Sequence, residues 1–254
     1  MTHPSPSKKV AAITGGTRGI GRAVADLCRG RGYSVAVCAR SVPESALSPE
    51  VLCIQADIRR KEEMDRFVQE VFRMYGRLDL FVNGAGISRW RSVGRIDPAF
   101  SSEMIETNVL GTLWGCAAAA AVLPSGGAIV NISSLAGKRG SSNNSAYCAS
   151  KFAVNGITQA LSKELGPRGI RVNAVCPVYV QTGRILQSLS EPEAPAQGHG
   201  GVKKYLEQVT ATQTALGRLP TADEVAEVVL FLASPAASAI TGQCINVDCG
   251  TLPQ

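Results

Sequence analysis

No two cysteines are spaced C-x-x-C, and no histidine stands near any of the eight cysteines at positions 28, 38, 53, 116, 148, 176, 244 and 249. That spacing excludes a structural zinc site. The cysteines are scattered through apolar segments, so they read as small core residues in a reducing cytoplasm. No apolar run reaches the roughly 20 residues of a membrane span. The longest, 109–123, is interrupted by Thr112 and stops at Pro124 and Ser125, which suits a buried helix. A dense Lys/Arg run with interleaved aromatics is also missing. The net charge of +6 and pI near 9.0 therefore lack a nucleic-acid reading element, and they fit a phosphate-bearing small ligand or plain solubility equally well. Repeats, low-complexity linkers and breaks in composition are absent. A chain of 254 residues, 45% hydrophobic and 18% charged, is thus expected to form one large domain over 8–254. Residues 1–7, polar and containing proline, read as a loose tail that is neither signal peptide nor anchor.

Short β-branched runs are present at 10–14, 34–38, 51–56, 78–82, 128–132, 171–175 and 243–247. Helix-length segments separate them, at 21–31, 61–75, 102–123, 146–165 and 222–233. Strands joined by crossover helices build a mainly parallel α/β sheet covered on both faces. Ligands of such sheets bind beyond the carboxyl ends of the strands. The segment 183–216 stands apart as a Pro/Gly-rich insert with a short helix expected at 202–209, placed where it can close over a ligand as a lid.

The residues at the strand ends carry the chemistry. After the first strand, Thr14, Gly15, Gly16, Thr17, Arg18, Gly19, Ile20 and Gly21 form a glycine-rich turn opening a helix, a geometry that lets backbone N–H groups approach a pyrophosphate. The strict G-x-G-x-x-G spacing is not met. The second strand ends at Arg40, where a ribose 2′-hydroxyl would call for Asp or Glu; together with Arg18 this cation suits a 2′-phosphate and hence NADP(H) over NAD(H). Tyr147 and Lys151, four residues apart, share a helix face, so the ammonium can favour the phenolate. Such pairs are commoner on surfaces than in active sites. Ser134 ends the fifth strand and can converge with Tyr147; Ser133 is its rival.

On these residues the chain closely resembles the short-chain dehydrogenase/reductase family, and within it the 3-oxoacyl-(acyl-carrier-protein) reductases. The T-G-x-x-x-G-x-G turn is Thr14–Gly21. Asn83-Gly84-Ala85-Gly86 matches N-x-A-G, and Asn108, Ser134, Tyr147 and Lys151 match the active-site set. Gly217-Arg218-Leu219 and Ile240-Thr241-Gly242 match the tail pattern. The resemblance implies a single-domain, Rossmann-type doubly wound fold of seven strands and interconversion of a ketone and a secondary alcohol by hydride transfer. Tyr147 would be the acid/base, Ser134 would polarise the carbonyl, Lys151 would bind ribose and lower the Tyr pKa, and Asn108 would serve a proton relay. The resemblance also implies cofactor contacts at Asp57, Ile58, Asn83, Ala85, Gly86, Pro177, Val180 and Thr182, and a homo-oligomer, tetramer or dimer. Three positions depart from the family pattern: Gly84 for the second Asn, Val178 after Pro177, and Cys249 between Asp248 and Gly250.

For the substrate, Arg89, Arg91, Arg95, Lys138, Arg139 and Arg184 gather near the expected cleft and suggest an anionic carbonyl compound, free or carrier-bound. Solvated side chains explain any one of these cations as well. Trp90 and Tyr179 are expected to line the pocket, and His199 to be an exposed lid residue. Two readings compete with the reductase: an NAD(P)-binding regulatory or scaffold protein of the same fold, and an NAD-dependent alcohol dehydrogenase running oxidatively. No metal, nucleic-acid or membrane partner is expected.

Overall fold

The computed structural model describes residues 8–41 and 48–253, and the tail expected over 1–7 lies outside them. Seven strands form one sheet: β1 (Val10–Thr14), β2 (Ser34–Ala39), β3 (Val51–Gln55), β4 (Leu80–Asn83), β5 (Ala128–Ile132), β6 (Arg171–Pro177) and β7 (Cys244–Val247). Their order is β3-β2-β1-β4-β5-β6-β7, and every neighbouring pair is parallel. β1 is buried along its whole length, as a strand covered on both faces must be.

The helices are α1 (Gly19–Gly30), α2 (Lys61–Tyr75), α3 (Pro98–Ile105), α4 (Gly111–Ala120), α5 (Ser145–Leu165), α6 (Gly183–Leu189), α7 (Val202–Gln213) and α8 (Ala222–Ala233). One core packs α1 and α8 on the sheet through Val24, Val225 and Val229. The other packs α2 and α4 through Phe67, Val71 and Cys116. Local signals explain the boundaries. Thr221 and Glu224 close a capping box at the start of α8. Asp97 caps α3, its Oδ1 accepting from the Phe100 N–H at 2.8 Å, with Pro98 in the first turn.

The single helix expected over 102–123 is instead α3 and α4 joined by a π-helical turn at Glu106–Leu110. The wider turn carries Asn108, whose amide is engaged on both sides. Its Oδ1 accepts from the Ile87 N–H at 2.9 Å, and its Nδ2 donates to the Ile87 carbonyl at 2.9 Å and to Ser150 Oγ at 3.0 Å. Those side-chain bonds draw the backbone out of the α ladder, which apolar periodicity cannot reveal.

The 183–216 insert is folded. α6, a 3₁₀ turn and α7 close a small core in which Leu189, Ala196, Leu206 and Val209 pack with Trp90. Two carboxylates fasten it to the segment after β4. Glu191 accepts from the Trp90 N–H at 3.0 Å and Arg89 Nε at 3.1 Å, while Glu193 accepts from the Ser92 N–H at 2.7 Å and pairs with Arg95 at 3.0 Å. Among the described residues the cysteines are all free thiols, five of them buried, and no group of metal-binding side chains assembles. No described helix is long and apolar enough to cross a membrane.

Candidate active site

The site begins where strand order reverses, between β1 and β4. Thr14 Oγ1 accepts from the N–H groups of Gly84 at 3.1 Å and Ala85 at 3.2 Å, tying the two strand ends together. Gly15 turns the chain at φ +68°, and a Cβ there would sit 2.8 Å from Ala85 Cα, so only glycine fits. A groove of about 210 Å³ opens above this junction. Gly15, Thr17, Arg18, Gly19, Ile20 and Gly21 form one wall; Arg40, Asp57 and Ile58 another; Ala85, Gly86, Thr182 and Arg184 the rest. Asn83 differs from expectation. Its Nδ2 donates to Asn131 Oδ1 at 2.9 Å and the Thr112 carbonyl at 3.3 Å, and Asn131 Nδ2 passes the chain on to Thr158 at 2.9 Å. The side chain therefore fixes β4, β5, α4 and α5 beneath the groove without lining it.

Charge in the groove is one-sided. Burial and the fields of Arg18 and Arg40 together hold the Arg184 guanidinium below its ordinary value, so three cations converge. Among the described residues none of the three has an ion-pair partner. Asp57, the nearest acid, is bound by Arg59 at 2.5 Å, and that hydrogen-bonded pair keeps its carboxyl below the usual range. α1 adds free N–H groups, having neither a side-chain cap nor an acidic residue in its first turn. A cradle of backbone donors ringed by three unpaired guanidiniums fits a phosphorylated dinucleotide.

The groove leads into a cavity of about 390 Å³ that holds Ser134, Tyr147 and Lys151, with Pro177, Val180 and Thr182 on the β6 side. Both Ser133 and Ser134 line the cavity, but Ser133 is buried and its Oγ donates to the Lys151 carbonyl at 3.3 Å, whereas Ser134 is the serine that hydrogen-bonds Tyr147. Lys151 is 6% exposed. Its Nζ donates to the Ile132 carbonyl at 2.8 Å and stands 5.8 Å from the centre of the Tyr147 ring. Burial lowers the Lys151 ammonium to about 8. Burial also pushes the Tyr147 phenol up to about 12, against a lowering hydrogen bond with Ser134. Burial is thus the dominant influence on the phenol, opposed by the hydrogen bond with Ser134, and the lowering expected from the four-residue spacing is not seen.

Beyond Tyr147 lies a further cavity of about 340 Å³, walled by Trp90, Tyr179 and Tyr205 and bordered by Val178. Trp90 is both wall and core, with its Nε1 donating to Ser188 Oγ at 3.1 Å. Two expected substrate cations lie elsewhere. Arg91 pairs with Asp97 at 3.0 Å and stacks over Phe100 at 4.4 Å, and Lys138 lines neither this cavity nor the one that holds Ser134, Tyr147 and Lys151. Arg184 borders the cofactor groove as well as the catalytic cavity. His199 is exposed, its Nδ1 2.7 Å from the Pro195 carbonyl. Of the cations expected near the cleft, Arg139 does line this cavity; sequence reasoning missed Asn144 and Tyr205, and for Asn144 its place ten residues after Ser134 was the available signal.

A family model described as Enoyl-(Acyl carrier protein) reductase matches residues 15–251. The human 3-oxoacyl-[acyl-carrier-protein] reductase is 34% identical over 250 residues, covering 95% of this chain and 97% of that protein. The chain belongs to the short-chain dehydrogenase/reductase family. Solved members superpose over nearly its whole length. The aldohexose dehydrogenase of Thermoplasma acidophilum matches with a TM-score of 0.87 at 28% identity, covering 97% of this chain and 98% of that one. ElxO, whose structure has NADP bound, matches with a TM-score of 0.84 at 29% identity, covering 97% and 100%. As a member of this short-chain family the protein is a Rossmann-fold oxidoreductase that uses a nicotinamide cofactor.

Proposed function

We propose that the protein is an NADP(H)-dependent enzyme interconverting a ketone and a secondary alcohol, with an anionic or carrier-bound substrate. The observation that carries the cofactor choice is the convergence of Arg18, Arg40 and Arg184 on one groove, none of them in an ion pair among the described residues, with Asp57 on the same lining engaged by Arg59. A 2′-phosphate supplies the missing charge, and charge-assisted bonds to guanidinium are strong and bidentate. The groove lined by Gly15, Arg18, Arg40 and Arg184 would hold the cofactor, which would supply the hydride for the carbonyl carbon. Tyr147 donates a proton to the carbonyl oxygen, and Ser134 hydrogen-bonds the same oxygen. Lys151 holds the ribose with the donors that Ile132 leaves free, and its positive charge stabilises the phenolate left on Tyr147. Asn108, its amide held by Ile87 and Ser150, holds a water for the proton relay to solvent. Asp57, Ile58, Ala85, Gly86, Pro177, Val180 and Thr182 complete the cofactor contacts, over a lid formed by 183–216.

The reading extends to a cytoplasmic enzyme assembled from copies of this chain, for which the exposed apolar side chains of Ile105 and Phe152 offer a surface. The test is a screen of the purified protein for NADPH oxidation with diketones, oxoacyl thioesters, oxo acids and keto sugars, with NADH alongside. Carbonyl-dependent loss of absorbance, faster with NADPH, is expected. No turnover of any carbonyl, or faster turnover with NADH, would overturn it.

A further inference from the structure

The cavity beyond Tyr147 has a composition unlike the rest of the molecule. The chain holds two Trp and five Tyr, and one of those Trp and three of those Tyr line this space of about 340 Å³. Trp90 and Tyr205 both belong to the insert's small core, Leu135, Val178 and Ile185 add apolar surface, and Ser88, Ser141, Asn144 and Gln213 give the lining a polar share. Tyr179 and Tyr205 meet edge to face with ring centres 5.7 Å apart, their hydroxyls sharing a hydrogen bond of 2.8 Å. Rigid, flat walls of this kind are complementary to a planar body, because ring faces and edges attract one another beyond the area they bury.

Charge is equally selective. Arg139 is the one charged residue on the lining, no carboxylate shares the cavity with it, and its only side-chain hydrogen bond among the described residues goes to a neutral acceptor, Gln213 Oε1, at a long 3.4 Å. Its field reaches both tyrosines, opposing the burial that raises their phenols. A guanidinium with no anion, exposed at the edge of an aromatic-walled chamber, is a site for an anion that arrives with the ligand. The wall carries a second unmet demand. Asn144 is 4% exposed, and its Oδ1 is buried without a hydrogen-bond partner. A buried acceptor left this way is unfavourable until a ligand N–H or O–H reaches it.

We propose that this cavity selects a free ketone with a planar ring body and a distal carboxylate, the carbonyl lying between Ser134 and Tyr147 and the carboxylate bound by Arg139. The assignment rests on the reductase reading for the carbonyl end only. It replaces Arg91 and Lys138, which do not line the cavity, with a residue that does.

The test pairs 4-acetylbenzoate with its methyl ester, which keeps ring and ketone and removes the charge. In wild type the acid has the higher kcat/KM. In Arg139→Gln, KM for the acid rises about 10- to 100-fold more than KM for the ester while kcat changes little, because the lost contact is made equally in ground and transition states. Arg139→Lys restores part of the loss, which a folding defect would not. Calorimetry with the NADP⁺-loaded protein measures the same acid without turnover. Arg139-dependent binding with no reduction of any ketone would sink the redox reading and leave the anchor standing. Equal losses on acid and ester, or no binding of the acid to wild type, would overturn the anchor while leaving the redox reading intact. An acetoacetyl thioester of phosphopantetheine with a far higher kcat/KM that is untouched by Arg139→Gln would likewise overturn selection of a free acid.

Discussion

Replacing Arg40 with Asp removes one of three guanidiniums and supplies the acid that a ribose hydroxyl prefers. Its side chain is exposed and its neighbours Arg18 and Arg184 also face solvent, so Coulomb terms there are small and screened. The effect must come from direct bonds to the 2′-phosphate, about 1.5–3 kcal/mol for a charge-assisted contact. KM for NADPH should rise about 10- to 150-fold. NADH, lacking that phosphate, should lose nothing or gain. Arg184 offers an internal check, because relief from the field of Arg40 lets its guanidinium approach its ordinary value. The assay is initial rate at 340 nm with each cofactor varied, at about 0.05 and 0.3 M salt; the NADPH preference of wild type should weaken with salt more than that of the variant. Equal losses for NADPH and NADH would refute the reasoning, since they would make Arg40 a structural residue.

Three further outcomes follow from the packing and the buried charges. Lys151 titrates near 8 when folded and near its ordinary 10.5 when unfolded. The unfolded chain therefore binds the extra proton between those values, and stability rises with pH across that window. Lys151→Met should accordingly stabilise the protein at pH 7 by about 2 kcal/mol, the relieved desolvation less one lost hydrogen bond, and that advantage should shrink from pH 8 to 10.5 in denaturant titrations. Asn131→Ala removes the acceptor of Asn83 Nδ2 and the donor to Thr158 Oγ1 in the buried network, leaving Asn83 its bond to Thr112 and Thr158 its bond to Val154, and should cost about 1–3 kcal/mol, read as a lower urea midpoint. Cys249 holds a left-handed φ of +53°, so Cys249→Gly should raise Tm by about 1–4 °C, removed backbone strain exceeding the entropy glycine adds to the unfolded chain.

Strands and most helices were legible because parallel sheets demand continuous apolar runs, as in β1 and β5, and because caps such as Thr221/Glu224 mark starts locally. The groove was legible for the same reason: strand ends in this topology are fixed by order alone, so the turn at Gly15 and the cation at Arg40 had to meet. What escaped depended on side-chain bonds across long sequence separations. The π-turn at Asn108 exists because Ile87 and Ser150 hold its amide, and Asn83 turns under the groove because Asn131 and Thr112 accept it. Arg91 and Lys138 were misplaced because charge near a cleft in sequence does not fix which way a side chain turns; Asp97 and Phe100 decide it for Arg91. The sign of the Tyr147 perturbation needed the depth of burial, which a four-residue spacing does not contain.

The most direct test follows the transferred hydrogen: a ketone is incubated with NADPH carrying deuterium at both C4 positions of the nicotinamide, and the alcohol is analysed by mass spectrometry for wild type and Tyr147→Phe. Wild type should give alcohol deuterated on the carbinol carbon, and Tyr147→Phe should form it about 10²- to 10⁴-fold more slowly. Unlabelled alcohol from wild type, or an undiminished rate from Tyr147→Phe, would contradict the account.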